Sequence, residues 1–68
     1  MDHYVRITGK SSTHNVEAVL ATMANKSTFK HFMVVESSPD TALIYTSNYG
    51  ETLLGIIFRD YLIEHVQV

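Results

Sequence analysis

Residues 63–68, Ile63-Glu64-His65-Val66-Gln67-Val68, decide what this chain folds into. At a period of two, Glu64, Val66 and Val68 fall on one side and Ile63, His65 and Gln67 on the other, the pattern of a short strand. No glycine or proline separates them from the amphipathic stretch before them, so a helix running on to His65 is the alternative. One reading closes a four-stranded sheet and the other leaves three strands. We take the strand reading.

Working outward, Leu53, Leu54, Ile57, Phe58, Tyr61 and Leu62 repeat as i, i+1, i+4, i+5, one apolar stripe of a helix. Asn48 with Glu51 three residues later has the form of a capping box opening it. Upstream, Phe29–Glu36 is β-rich, "SSPD" (37–40) is turn chemistry, and 41–46 returns as the second arm of a hairpin. Val16, Val19, Leu20 and Met23 form a helical face, with Ser12 or Thr13 as N-cap, Glu17 in the first turn and Asn25 as the stop. His3–Thr8 is a strand with Val5 and Ile7 on one face and Tyr4, Arg6 and Thr8 on the other. The expected class is therefore α+β, a small antiparallel sheet with two helices on one face in the ferredoxin-like βαββαβ order. A three-stranded βαββα sheet is the alternative.

Size constrains this fold. Sixty-eight residues (68) form a single domain spanning 1–68, near the length at which one core is marginally stable. Small domains compensate with disulfides, a metal or a partner subunit. The chain has no cysteine, which excludes disulfides and thiolate zinc sites. Its net charge is −2 with no basic run, so attraction to nucleic acid or anionic lipid for charge alone is not favoured. The longest apolar run, Leu53–Phe58, is far below the roughly 20 residues of a membrane span. Met-Asp-His-Tyr-Val lacks the basic start and apolar stretch of a secretory leader, so the expectation is a cytoplasmic protein with no membrane partner.

The stretch "TGKSS" (8–12) between strand and helix shares letters with a phosphate-binding loop. That loop needs G-x-x-x-x-G-K-[ST], and five residues before Gly9 stands Tyr4, inside the strand. There is no loop to wrap a phosphate, and we read a turn. The histidines, His3, His14, His31 and His65, show neither H-x-H nor H-x-x-x-H spacing. In a ferredoxin-like sheet the first strand borders the fourth, so His3 and His65 can approach while His31 lies at the far edge. We assign no metal, no cofactor and no catalytic residue. Asp2, Asp40 and Asp60 fall at a terminus, a turn and a helix surface, and Glu17, Glu36, Glu51 and Glu64 are spread over separate elements.

Two alternatives come with the topology. RNA-recognition modules stack bases on aromatics of the two central strands, where this chain places Tyr4 and Tyr45. "ALIYTSN" (42–48) lacks their basic-Gly-aromatic pattern, so single-stranded nucleic-acid binding is the alternative and not the choice. The element order also resembles that of ACT-like regulatory domains, which implies a small ligand beside the first strand–helix turn, at "TGKSSTHN" (8–15).

The choice rests on 29–37, "FKHFMVVES", apolar on both faces although two helices can cover only one. Tyr4, Arg6, Tyr45 and whichever of Phe32 and Met33 points away from the helices are the expected partner-binding residues, since aromatics and methionine are enriched where proteins meet. The function expected is a noncatalytic protein-binding module, as a homodimer or on a larger protein partner. A small stoichiometric inhibitor or adaptor, such as a phage anti-defence or anti-CRISPR protein, is its concrete form.

The turn reading of Gly9-Lys10-Ser11 has a direct check. Magnesium-ATP or GTP should leave the melting temperature unchanged. A ligand at 100 times its dissociation constant would add about 2.7 kcal/mol, a shift of many degrees in so small a domain. A clear rise with nucleotide would overturn the turn assignment.

Overall fold

The computed structural model describes residues 2–67, without the side chains of 28 and 29. The elements run β1 (His3–Thr8), α1 (Val16–Met23), a 3₁₀ segment (Ser27–His31), β2 (Phe32–Ser37), β3 (Thr41–Thr46), α2 (Asn48–Ile57) and β4 (Leu62–Val66). The sheet order is β2-β3-β1-β4 with every neighbouring pair antiparallel, the ferredoxin-like arrangement expected. Residues 62–66 are a strand; Val68 lies outside the described residues.

The register sorts the sheet into two faces. One carries His3, Thr46 and Phe32 in a row, then His65, Val5, Ile44 and Val34, then Ile63, Ile7, Ala42 and Ser37. Val5, Ile7, Ala42, Ile44 and Phe32 are buried there with Val16, Leu20 and Met23 of α1 and with Leu54 and Phe58 at α2. Both helices therefore cover this face, and one apolar core lies between them and the sheet.

Each boundary has a local cause, and several differ from the sequence expectation. Helix α1 starts late: Asn15, not Ser12 or Thr13, is the N-cap, its side chain accepting the Ala18 N–H at 2.9 Å. It stops at Met23 with Ala24 as a right-handed cap, ahead of the Asn25 stop, and no described non-glycine residue takes the left-handed conformation by which an asparagine ends a helix. Residues 29–31 are not strand. They belong to the 3₁₀ segment, which Thr46 holds by donating its hydroxyl to the His31 carbonyl at 3.2 Å. Ser47 caps α2 through the Gly50 N–H, so the capping box expected of Asn48 and Glu51 does not form. Glu51 turns instead toward the sheet.

The end of α2 is the junction that no glycine or proline marks. The Phe58 N–H bonds the Leu54 carbonyl, the Tyr61 N–H bonds the Phe58 carbonyl, and Arg59 and Asp60 pass through solvent. Burial of Phe58 ends the helix, since its ring fills the core and stands edge-on to Tyr61 at 5.0 Å. Leu62, assigned to the helical stripe from spacing, therefore begins β4 and is exposed.

Two glycines in α2 differ in their surroundings. A Cβ at Gly50 would overlap the Thr46 hydroxyl and crowd the His31 carbonyl, whereas one at Gly55 would meet open space. Gly50→Ala should destabilise by about 1–3 kcal/mol through overpacking, and Gly55→Ala should stabilise by roughly 0.5–1 kcal/mol through helix propensity. Leu54→Ala should cost about 2–5 kcal/mol, and half-buried Ile57→Ala less. Urea melts of the four variants check all these signs together. A Gly50→Ala variant as stable as the parent would place the 3₁₀ segment wrongly.

Candidate functional site

The second face of the sheet has no helix over it. Its first row is Val66, Tyr4, Tyr45 and Met33, running across all four strands. The second row is Glu64, Arg6, Leu43 and Glu36, and the third holds Leu62, Thr8 and Thr41. Tyr4 and Tyr45 face each other across the two central strands with ring centroids 4.9 Å apart and planes tilted by 55°. Met33 is 64% exposed. An open depression of about 390 Å³ lies at the end of β2 and β3, lined by Met33 and Tyr45 of this row and by Lys30, His31, Thr46 and Ser47.

Four of the five residues expected at a partner surface thus share this face: Tyr4, Arg6, Met33 and Tyr45. Phe32 does not. It is 7% exposed and belongs to the core, because strand alternation sends it to the helix side when Met33 points outward. Val35, two residues beyond Met33, sits at a bulge between Val34 and Glu36 on the edge strand and is exposed. The bulge lets Glu36 rejoin the open face opposite Leu43, and it disrupts an edge that could pair with another chain.

The loop after β1 is closed on itself. The Gly9 N–H bonds the Asp40 carbonyl, the Lys10 N–H bonds His14 Nδ1, the His14 N–H bonds the Ser11 carbonyl and the Val16 N–H bonds the Pro39 carbonyl. The Gly9 and Lys10 N–H groups are donors that a phosphate-binding loop would aim at its ligand. Helix α1 also begins five residues after Ser11, so its N-terminus is not at the Gly-Lys-Ser turn. His14 seals the loop by stacking on Tyr61, with centroids 4.1 Å apart.

The histidines are not scattered over the surface. Besides His14 on Tyr61, His31 meets Tyr49 edge-on at 4.9 Å. His3 and His65 stack in parallel, with centroids 4.8 Å apart and planes within 4°. Both point Nε2 at Glu51: His3 lies 2.6 Å from Oε1 and His65 lies 2.6 Å from Oε2. His3 is half-buried at the start of β1, His65 is exposed on β4, and Glu51 reaches both from the first turns of α2. Sequence spacing assigned no metal ligands. The sheet order brings His3 and His65 together as adjacency of the first and fourth strands implies. Glu51 was missed because its position after Asn48 also fits a capping role.

No known protein family, curated protein or solved structure matches the chain. No described helix is long and apolar enough to cross a membrane.

Proposed function

We propose that the chain is a noncatalytic protein-binding module that works through the open face of its sheet. The observation that carries this reading is the row Val66, Tyr4, Tyr45 and Met33, apolar and aromatic across the full width of the sheet with no helix over it. In an antiparallel sheet a solvated face alternates to polar residues. A contiguous apolar band rimmed by charge suits contact with another protein. The depression beside Met33 and Tyr45 offers a seat for a partner's side chain.

Charge favours protein over nucleic acid at the same surface. The row beside the aromatics sets Arg6 between Glu64 and Glu36, one cation against two carboxylates. A single-stranded nucleic acid stacked on Tyr4 and Tyr45 would run its phosphates past these acids, against the positive groove such proteins use. In its concrete form the module is a stoichiometric inhibitor or adaptor, as phage anti-defence and anti-CRISPR proteins are, or it closes its open face as a homodimer.

Tyr45→Ala and Met33→Glu test the reading, because both change the open face and leave the core intact. Each should leave the domain folded and weaken self-association or stoichiometric partner capture. Truncated hot-spot aromatics cost about 2 kcal/mol or more, close to thirtyfold in affinity. Binding should change little between about 50 and 200 mM salt, since an apolar contact releases few counterions. Salt-sensitive retention of a single-stranded oligonucleotide that disappears in Arg6→Glu would overturn the reading.

A further inference from the structure

Residues 3, 51 and 65 are far apart in sequence, and three elements converge to bring them together. His65 is opposite Val5 in the β1–β4 register, which puts it on the helix side of the sheet. His3, two residues before Val5, is on the same side. Helix α2 starts over this end of the sheet after Thr46 and Ser47, and its first turns place Glu51 against both rings. The three candidate ligand atoms lie within 4.8 Å of one another.

We propose that His3, Glu51 and His65 form a binding site for a divalent transition metal, with Zn²⁺ as the cation that fits best. Two imidazole nitrogens and one carboxylate oxygen form a donor set that zinc accepts, and three protein ligands leave a fourth position for water. The hard cations Mg²⁺ and Ca²⁺ prefer all-oxygen surroundings, so they do not suit this set. At zinc bond lengths of about 2.0–2.2 Å, tetrahedral ligand atoms stand roughly 3.3–3.6 Å apart. The carboxylate therefore opens from its 2.6 Å contacts while the two nitrogens draw around the ion. Each Nε2 offers a lone pair to the metal, and the proton of the neutral ring resides on Nδ1. His65, with 65% of its side chain exposed, has the freedom to make this adjustment and leaves the ion a way in.

The site would act as a staple. Strand β4 is an edge strand that joins the sheet through β1 alone, and the metal would tie it to both β1 and α2. This is the cross-link a cysteine-free chain of 68 residues cannot obtain from disulfides. It lies on the helix side of the sheet, so it is separate from the open face and its partner.

The test uses the full chain, stripped with chelator and titrated with Zn²⁺ near neutral pH by calorimetry, with Co²⁺ as a visible-absorption probe. One Zn²⁺ per chain is expected, with a melting temperature that rises on saturation and falls back on adding EDTA. His65→Gln and Glu51→Gln should each weaken binding by more than the about tenfold lost with an outer-shell partner. Both should still give the parent's circular dichroism without metal, because neither side chain belongs to the core. His14→Gln and His31→Gln should bind as the parent does. Absence of binding, one ion per two chains, or affinity that survives in both His65→Gln and Glu51→Gln would overturn the proposal.

Discussion

Strand β1 is hydrogen-bonded along both edges, to β3 from His3–Thr46 to Thr8–Thr41 and to β4 from Tyr4–Val66 to Thr8–Leu62. That double pairing constrains everything else. It makes β1 central, so Val5 and Ile7 are wholly buried, and it assigns each alternate residue of four strands to one side or the other. A slip of one residue would send Tyr4 and Arg6 into the core and Val5 and Ile7 into solvent.

The two sides of the sheet carry different consequences of this one constraint. On the helix side the apolar residues merge into a single core, and the row at its end holds polar groups that satisfy one another. Thr46 bonds the His31 carbonyl, and His3 and His65 share the Glu51 carboxylate. Among the described residues no buried side-chain polar atom lacks a partner, as expected where an unpaired polar group would cost more than its hydrogen bond returns. On the open side the same alternation leaves tyrosines, a methionine and a valine in one row, with charge confined to the next.

The loops hold the layers in place. The carbonyls of Pro39 and Asp40, in the β2–β3 hairpin, accept the N–H groups of Val16 and Gly9, so the start of α1 is anchored to the hairpin tip. His14 then packs against Tyr61, linking the first connection to the last. Resemblance to a nucleotide loop ends at the level of hydrogen bonds, because the Gly9 and Lys10 N–H groups are engaged within the protein. At the other end, the close approach of Gly50 to Thr46 and the His31 carbonyl turns residues 29–31 away from the strand that composition suggests.

Local pattern carried most of the order of elements. Alternation at 3–8 and 63–68, the turn at 37–40 and the apolar stripes of the two helices are set by neighbours within a few residues, and they favour the ferredoxin-like order over the three-stranded alternative. Local pattern also placed Tyr4, Arg6 and Tyr45 together, because strand periodicity survives into the sheet. It could not choose between Phe32 and Met33. That choice depends on which face the helices cover, and a strand apolar on both sides carries no such mark. Nor could it separate the end of α2 from β4, where the break comes from packing of Phe58 and not from a turn residue. Only tertiary structure assembled His3, Glu51 and His65. Their proximity comes from antiparallel pairing of β1 with β4 and from where α2 begins over the sheet, long-range relations that leave no periodic trace in the sequence.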